Sequence, residues 1–388
     1  MEFLFVNNYF NLFAKADCGA SQRSMSMIRS LAKIGHVDVV SFVEDTVSNE
    51  HNVDVLYSHY IERAKYDKAF FAKAINLFCK RRQEAIYPEN KEKIIIIDKI
   101  LERKNYDYIV VRYFYYACDC GLMRYSNKLL LDIDDDPKDV VLMSLDKIDT
   151  LPRRIYYRMY ANTVGRVTKY AMKRVFKAFY SSPGKTYPNA LFLPNISFIS
   201  EPTPTVNLLQ LSNKILVVGW FRYFPNIEGL KHFIIHVFPL IRKMVSGAEL
   251  EVVGKMDDND LRTLCEITEG VNPRGFVEDL KLVYSGCKCV VVPIYKGTGT
   301  SVKLVEAFAY GKAVVTTSVG KRGLHPAFQE GVDYLLARSD EEFAQHVVKL
   351  LTDVDTNEKM RNRATTKYQV FYSEEAFDDI LRNVVFTK

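Results

Sequence analysis

The strongest constraint on the fold is a strand–loop–helix–strand pattern over residues 289–317. The apolar run Cys289–Ile294 predicts one β-strand, and the run Ala313–Thr317 predicts another. Between them, a loop with Gly297 and Gly299 leads into a segment whose apolar residues have helical spacing. A helix that joins two such strands predicts a βαβ unit within a parallel sheet.

The predicted helix carries residue types suited to a phosphorylated polyol. A helix N-terminus at the end of a strand presents unpaired amides and a positive dipole end, each favouring an anion by roughly 0.3–2 kcal/mol. Lys303 and Glu306 lie three residues apart and share a face. Glu306 can accept hydrogen bonds from a pair of sugar hydroxyls. The pattern predicts a nucleotide or nucleotide-sugar site, although a tight turn beside a surface glutamate has the same local sequence.

Residues 297–311 resemble the donor-binding segment of retaining GT-B glycosyltransferases of family 4. The resemblance extends over about 215–330, where further segments match in the same order. These segments are Val218-Gly219, Phe224–Asn226, Val252–Gly254, Gly275–Leu280, Val315–Gly320 and Gly323-Leu324.

This resemblance implies a nucleotide-diphosphate sugar as co-substrate, no covalently bound cofactor and no required metal. It implies that Glu306 holds the ribose and that the segment Gly275–Val277 lies against the base. Lys303 would assist the loop residues at the diphosphate, and Gly19 in the first half would approach the same group, although its segment has a single glycine and a structural turn is the alternative. The implied donor-binding residues also include Gly219, Arg222, Phe276, Val277, Gly297, Thr298, Gly299, Thr300, Ser301 and Val302.

The chain departs from the family pattern in three places. Members often carry a glutamate eight residues before Glu306, where this chain has Thr298. The cations near the start of the second domain are Arg222, at an unusual offset, and Lys231. The histidine that is usual in the first domain has no clear counterpart.

Strands alternate with helices throughout the chain, which predicts an α/β protein. In the first half we expect a helix over 53–83, another over 91–104, and strands at 3–6, 37–43, 106–111, 129–133, 177–181 and 191–193. The resemblance implies a GT-B fold, in which two Rossmann-like domains face each other across a cleft and a C-terminal helix crosses back to the first. We predict an acceptor-binding domain at 1–198, a linker at 199–212, a donor-binding domain at 213–365 and the crossover helix at 366–388.

An acidic cluster follows the predicted strand 129–133. Asp132, Asp134, Asp135 and Asp136 precede Pro137. Such carboxylates could position an acceptor hydroxyl, take its proton or stabilise an oxocarbenium ion, and Asp134 or Asp135 has the approximate place of the missing histidine. The alternatives are a helix N-cap and a divalent-metal site. We therefore predict Asp134 and Asp135 as catalytic residues. We also predict Lys303 and Arg222 as catalytic, because their charges would stabilise the leaving diphosphate.

Basic residues are concentrated in two stretches, although the net charge is only +6. Residues 151–180 hold eight Lys or Arg and no acid, and residues 61–82 hold seven against two acids. Interleaved aromatic and aliphatic residues favour contact with an anionic membrane surface, while ordinary solvated helix faces and nucleic-acid binding are alternatives. The predicted membrane or acceptor face consists of basic residues spaced by four, which predicts a basic stripe on helices; they are Arg154, Arg158, Lys169, Lys173 and Lys177.

Other features indicate a cytoplasmic protein, peripheral at most. No apolar run reaches the roughly 18 residues of a spanning helix. The N-terminus is typical of a first strand, not of a signal peptide. The seven cysteines have neither zinc-site spacing nor an even number, which favours buried thiols and no metal site.

Together, these patterns predict a glycosyltransferase that moves a sugar from a nucleotide-diphosphate donor to a glycan or lipid-linked acceptor, with retention, in surface polysaccharide synthesis. Thr298 and the absent histidine instead favour a catalytically silent nucleotide-sugar binder in a membrane synthesis complex. A GT-B epimerase or phosphorylase is a third hypothesis.

Overall fold

Each half of the chain forms a parallel β-sheet flanked by helices, which confirms the predicted pair of Rossmann-like domains. The computed structural model describes residues 1–9, 11–13, 19–44, 50–62, 86–143, 145, 148, 150–184, 187, 189–196, 208–297 and 302–387. The chain divides into two units, Met1–Asn195 with Phe377–Lys388, and Ile196–Ala376. Most of the predicted linker at 199–212 lies outside the described residues.

The first unit has a seven-stranded sheet in the order β3-β2-β1-β4-β5-β6-β7. The sheet is parallel at every pairing, and strand β4 is buried at all five positions, as expected for a sheet covered on both faces. The strand order reverses between β1 and β4, where ligands bind in open α/β sheets. The strands are β1 Glu2–Asn7, β2 His36–Ser41, β3 Val53–Ser58, β4 Tyr108–Arg112, β5 Leu129–Asp134, β6 Lys177–Tyr180 and β7 Ala190–Phe192.

Helices of the first unit connect these strands. Asn90 begins the second of them, since its side chain accepts hydrogen bonds from the amides of Glu92 and Lys93. The helices before residue 196 are α1 Gly19–Ala32, α2 Lys91–Arg103, α3 Phe114–Asp119, α4 Pro137–Met143 and α5 Leu151–Met172, with a 3₁₀ segment at Leu122–Lys128.

The prediction of a helix over 53–83 is wrong at its start. Residues Val53–Ser58 form β3, which pairs with β2 through Val37 and Val53. The half-buried alternation in this segment is typical of an edge strand, and the β-branched Val53 and Val55 favour it, so the helical prediction began too early in the chain. The part at 63–85, including most of the predicted basic stretch 61–82, lies outside the described residues.

The C-terminal helix completes the first unit, as predicted for the crossover. Lys33 Nζ lies 2.7 Å from Asp378 Oδ2, and Ser30 also donates to Asp378. The Tyr108 hydroxyl donates to the Val385 carbonyl at 3.1 Å. This helix runs from Glu374 to Phe386, whereas the preceding helix ends at Phe371.

The second unit has a six-stranded parallel sheet in the order β10-β9-β8-β11-β12-β13. Its strand order reverses between β8 and β11, and all five positions of β12 are buried. The strands are β8 Lys214–Val218, β9 Glu249–Val253, β10 Val271–Gly275, β11 Cys289–Val292, β12 Ala313–Thr317 and β13 Leu335–Ala337.

Helices of the second unit bury apolar stripes against this sheet. The first continues through a wider π-helical turn, Phe233–Val237, into the next. None of the helices in the described part of the chain is long and apolar enough to cross a bilayer. The remaining helices are α6 Phe224–His232, α7 Phe238–Met244, α8 Asn259–Ile267, α9 Leu280–Ser285, α10 Val302–Ala309, α11 Asp340–Thr352, α12 Val354–Phe371 and α13 Glu374–Phe386.

We predict that Gly254→Ala destabilises the second unit. Gly254 has φ 141°, and a Cβ atom there would lie 1.7 Å from the Gly219 carbonyl oxygen. The strain and clash should cost about 1–3 kcal/mol or more, measurable as a lower melting temperature. Trp220, the only tryptophan, follows Gly219 and supplies the fluorescence signal. The control is Gly247→Ala, because a Cβ there meets nothing within 4 Å; equal melting temperatures of the two variants would contradict the prediction.

Candidate functional site

The β8–β11 crossing of the second sheet collects the predicted donor-site residues. Gly219 directly follows β8, and Gly297 follows β11 in the chain segment that leads to α10. Four predicted residues of this loop, Thr298, Gly299, Thr300 and Ser301, lie outside the described residues. Val302 begins α10.

Lys303 extends from α10 towards the segment after β8. Its Nζ donates to Asn226 Oδ1 at 2.8 Å, and Asn226 Nδ2 donates to the Trp220 carbonyl at 2.8 Å. A Cβ at Gly219 would lie 3.4 Å from Lys303 Cε, so the lysine stem passes close to this glycine. Burial lowers the pKa of Lys303 to about 8, and the charge of Glu306 opposes this shift. The site therefore holds a cation whose hydrogen-bond acceptor is a neutral amide.

Glu306 lies one turn after Lys303 and is positioned by a tyrosine. The Tyr284 hydroxyl donates to Glu306 Oε1 at 2.7 Å. Tyr284 is fully buried, and its ring stacks on Tyr310 with centroids 4.2 Å apart. Burial and the adjacent Glu306 carboxylate raise the pKa of Tyr284 well above its usual value, so the phenol remains a proton donor. This hydrogen bond fixes the position of one carboxylate oxygen of Glu306 on α10.

Three other cations near the site have acidic or backbone partners. Arg222 is half-exposed and forms an ion pair with Asp257. Lys231 Nζ lies 3.0 Å from Asp258 Oδ1. Arg322 donates from Nε to the Val319 carbonyl at 3.2 Å, and its Nη2 would lie 3.6 Å from a Cβ at Gly297. Arg322 thus lies beside Gly297, and the sequence analysis gave it no role.

Glycines let three neighbouring strands end close together. The Gly219 amide donates to the Val253 carbonyl at 2.9 Å, and the Gly254 amide donates to the Gly275 carbonyl at 2.8 Å. Gly275 has φ 68°, a left-handed conformation that costs glycine little. The chain then continues into Phe276, whose side chain is 69% exposed at the ligand edge of the sheet, and half-buried Val277. An aromatic ring at this edge offers a stacking surface for a planar base.

The sequence analysis did not identify the two residues that position Lys303 and Glu306. Asn226 was part of a matching segment but was given no role, and Tyr284 was not singled out. Their partners lie 77 and 22 residues away in the chain, so neither contact has a local sequence signal. The Asn that follows Phe224-Pro225 in the turn after a predicted strand was the one available hint.

In the first unit, the acidic cluster after β5 meets two buried arginines. Arg23 binds Asp132 through two hydrogen bonds of 2.8 and 2.7 Å, and Arg112 Nε donates to Asp132 at 2.7 Å. Arg112 Nη2 donates to Asp134 at 2.7 Å. Although burial alone would raise it, the two guanidinium groups hold the pKa of Asp132 below its usual value. These contacts make Asp132 a structural anion.

The other members of the cluster divide into different environments. Asp134 has φ 62°, a strained conformation for a residue with a side chain, and Asp135 is half-buried. Asp136 accepts a hydrogen bond from the Lys138 amide at 2.9 Å and another from the Tyr187 hydroxyl at 3.0 Å, so it caps α4, which begins at Pro137. The predicted catalytic residues Asp134 and Asp135 thus lie between a buried ion-pair network and a helix cap.

Potential metal ligands come together elsewhere. Among the described residues, one group of three has possible ligand atoms within 4.8 Å of one another, and it consists of Glu2, His36 and Asp38. Lys104 Nζ lies 2.6 Å from Glu2 and 2.8 Å from Asp38, so a protein cation already pairs with both carboxylates. Gly19, the other first-unit prediction, is the first residue of α1.

The predicted basic stripe is shorter than the sequence suggested. Arg154, Arg158 and Lys169 are exposed on α5. The helix ends at Met172, so Lys173 is its C-cap and Lys177 belongs to β6. The spacing of four continues past the helix end because the chain turns there into a strand, and Lys177 therefore does not extend the stripe.

The cysteines among the described residues are free and buried. They are Cys118, Cys120, Cys265, Cys287 and Cys289. Burial raises the pKa of Cys120, Cys265 and Cys287 to about 12, which keeps these thiols protonated near neutral pH.

Comparisons with known proteins agree with this geometry. Residues 212–353 match the family model described as Glycosyl transferases group 1. A protein of Klebsiella pneumoniae, described as an uncharacterized 44.6 kDa protein in the cps region, is 21% identical over 373 residues, covering 90% of this chain and 95% of the relative.

Solved structures share the fold along the full chain. Anabaena Alr3699/HepE, in complex with UDP and glucose, is 12% identical with a TM-score of 0.64, covering 100% of this chain and 99% of the other. WaaG, a glycosyltransferase involved in lipopolysaccharide biosynthesis, is 14% identical with a TM-score of 0.63 and covers 100% of both chains. The fold is therefore GT-B, and the matching family model spans the unit that contains Lys303 and Glu306.

We predict that Asp132→Ala strongly destabilises the first unit. Removing the carboxylate leaves the buried guanidinium groups of Arg23 and Arg112 short of an anion, at a cost of about 3–5 kcal/mol. Thermal unfolding followed by far-ultraviolet circular dichroism measures the loss. In the control Asp98→Ala, the lost ion pair with Arg124 is exposed and should change stability by about 0–1 kcal/mol. A similar small effect in both variants would show that the network does not hold the unit together.

Proposed function

We propose that the protein is a glycosyltransferase that uses a nucleotide-diphosphate sugar and transfers the sugar to a hydroxyl of a glycan or lipid-linked acceptor. The observation that carries this proposal is the arrangement of α10, where Lys303 and Glu306 lie beside the glycine turns after β8 and β11. The cation suits a diphosphate, and the carboxylate suits the two hydroxyls of a ribose. The group 1 family match over 212–353 supports the same assignment.

The reaction breaks the bond between the anomeric carbon and the diphosphate oxygen, and the electron pair leaves with the diphosphate. The acceptor oxygen forms the new bond to that carbon and loses its proton. We propose that Lys303, the amides of the Gly297–Ser301 loop and Arg222 stabilise the departing charge, with Arg322 added by the structure. Asp134 or Asp135 receives the acceptor proton or stabilises the developing positive charge on the sugar.

Finer features of the proposal come from resemblance and from named neighbours. Retention of configuration follows the family 4 resemblance. The complex of Alr3699/HepE with UDP and glucose makes uridine diphosphate the first nucleotide to test. The cps-region relative and WaaG, described as involved in lipopolysaccharide biosynthesis, support a role in surface polysaccharide synthesis.

The test of activity is release of the nucleoside diphosphate from nucleotide sugars. We predict that Lys303→Ala lowers turnover about 10²–10³-fold, because a preorganised charge at the leaving group is lost. Lys359→Ala is the control, since Lys359 forms an exposed pair with Asp355. Turnover by Lys303→Ala at the wild-type rate would exclude a catalytic role for Lys303. Nucleotide binding without any turnover in the wild type would instead indicate the silent binder.

We predict that affinity for UDP falls as the pH rises above about 8. Below that value Lys303 is protonated in the free protein and attracts the diphosphate, whereas above it binding requires uptake of a proton. The dissociation constant should then rise by up to about tenfold per pH unit. Titration calorimetry across this range measures the slope, and Lys303→Met should remove it. A slope that persists in Lys303→Met would assign the titration to another group.

We also propose that the start of α5 contacts an anionic membrane surface. Leu151, Ile155 and Met159 lie on one face at intervals of four residues and are 70%, 50% and 40% exposed. Arg154 and Arg158 are exposed on the same turns. Exposed aliphatic residues beside arginines suit the interface of an anionic bilayer.

Ile155→Glu should weaken binding to vesicles that contain phosphatidylglycerol, because it places a charge in the apolar face and repels the lipid headgroups. Co-sedimentation measures the bound fraction. Val370→Glu is the matched control, since Val370 is an exposed aliphatic residue on α12. Equal binding by both variants, or no preference for anionic over neutral vesicles, would exclude this surface.

A further inference from the structure

Tyrosines from three segments of the second unit lie close to the Glu306 carboxylate. Tyr284 on α9 donates a hydrogen bond to Glu306 Oε1 at 2.7 Å. Tyr310, which directly follows α10, stacks on the Tyr284 ring with the two ring planes 12° apart. Burial and nearby acids, Glu306 among them, raise the pKa of Tyr310 and of Tyr368 on α12 to about 12. The carboxylate therefore lies among neutral phenols.

Packing restricts the Tyr284 hydroxyl to one position. The Tyr284 side chain is fully buried, whereas Leu282 on the same short helix is 74% exposed. A buried tyrosine hydroxyl needs a hydrogen-bond partner, and Glu306 supplies it. The ring cannot turn away from Glu306 without losing its stack on Tyr310, so the donor is held in place by the core of the second unit.

Tyr284 is a neutral donor to a charged acceptor. Burial and the Glu306 carboxylate raise the pKa of Tyr284 well above its usual value, so the phenol keeps its proton. Lys303, one turn earlier on the same face of α10, donates from Nζ to Asn226 at 2.8 Å. A hydrogen bond from a phenol leaves the negative charge on the carboxylate. A ligand hydroxyl bonds more strongly to such a charged acceptor than to a neutral one.

A ribose offers the donors that this carboxylate can accept. A carboxylate has about four acceptor sites on its two oxygens, and the bond from Tyr284 occupies one of them. The Glu306 side chain rotates about several bonds, so an unrestrained carboxylate would lose that freedom when it binds a sugar. Holding Oε1 in advance removes part of this cost. A site arranged in this way rejects a ligand that lacks one of the expected hydroxyls.

We infer that Tyr284 is a positioning residue that sets the preference of the site for a ribonucleotide over a deoxyribonucleotide, because it holds Glu306 in place for the ribose hydroxyls. The inference rests on the proposed function for the nucleotide ligand, and it names the residue that gives the site this selectivity. Since Tyr284 is fully buried, it acts through Glu306 and not by contact with the ligand.

Titration calorimetry on the full chain tests this inference with UDP and 2′-deoxy-UDP, and with the corresponding pairs of GDP and ADP. We expect the wild type to bind a ribonucleotide roughly 10–100-fold more tightly than its deoxy counterpart, because the deoxy form lacks a hydroxyl that bonds to a charged group. Tyr284→Phe keeps the ring and its stack but removes the donor. It should reduce this preference about threefold or more, chiefly by weakening ribonucleotide binding.

Tyr106→Phe is the matched control. Tyr106 is also buried and donates to a carboxylate oxygen at 2.7 Å, Asp38 Oδ2, but it belongs to the first unit. This change should leave both affinities of a nucleotide pair at their wild-type values. Because Tyr284 acts through Glu306, Tyr284→Phe should have no further effect on the preference when it is added to Glu306→Ala. A general loss of structure would instead weaken the two nucleotides of a pair equally.

The outcomes separate this inference from the proposed function. If a ribonucleotide binds and its preference over the deoxy form is unchanged in Tyr284→Phe, the inference fails and the nucleotide site stands. Equal binding of the two forms by the wild type, or equal weakening of both in Tyr284→Phe, would also overturn the inference alone. If no nucleotide binds the wild type, the proposed function fails and the inference fails with it.

Discussion

The hydrogen bond between the Lys303 ammonium and the neutral amide of Asn226 determines how the second unit can be used. A buried cation is costly unless an anion compensates it, and here the acceptor that holds the lysine contributes no charge. In the protein without a ligand, this burial lowers the pKa of Lys303 to about 8. Supplying the missing anion from a ligand recovers the electrostatic energy that folding left unsatisfied. This strand-edge position therefore favours an anionic ligand such as a diphosphate.

The first unit differs from the second, because its buried cations have anionic partners within the protein. Its buried arginines, Arg23 and Arg112, are satisfied within the protein by Asp132 and Asp134. Such a network is expensive to break and supplies little net attraction for an external charge. It instead holds the backbone at Asp134, where φ is 62°, through the ion pair with Arg112.

Local sequence was sufficient for the βαβ unit at the centre of the second sheet. Uninterrupted apolar runs predicted β11 and β12, because strands buried on both faces have few polar positions, and the three-residue spacing placed Lys303 and Glu306 on one face of α10. The partners of these two residues could not be predicted. Asn226 and Tyr284 reach them through packing between separate helices, which no spacing rule encodes.

The errors in the first unit have two causes. The helical prediction from residue 53 passed over the alternating valines of Val53–Ser58, which pairs with β2 as an edge strand. The carboxylates after β5 resembled a catalytic cluster, yet Asp132 is paired with Arg23, which is 109 residues away. The spacing of four from Lys169 to Lys177 suggested a continuous helical stripe, whereas the apolar run from residue 177 predicted a strand, and the structure has that strand.

The most direct test of the central claim is the binding of nucleoside diphosphates to the wild type and to Glu306→Ala. Thermal shifts with UDP, GDP, ADP and dTDP measure it without knowledge of the sugar or the acceptor. A ligand at a hundred times its dissociation constant stabilises a protein by about 2.7 kcal/mol, which raises the melting temperature by several degrees. We expect one nucleotide to stabilise the wild type and to have little effect on Glu306→Ala. No shift with any nucleotide, or equal shifts in both proteins, would contradict it.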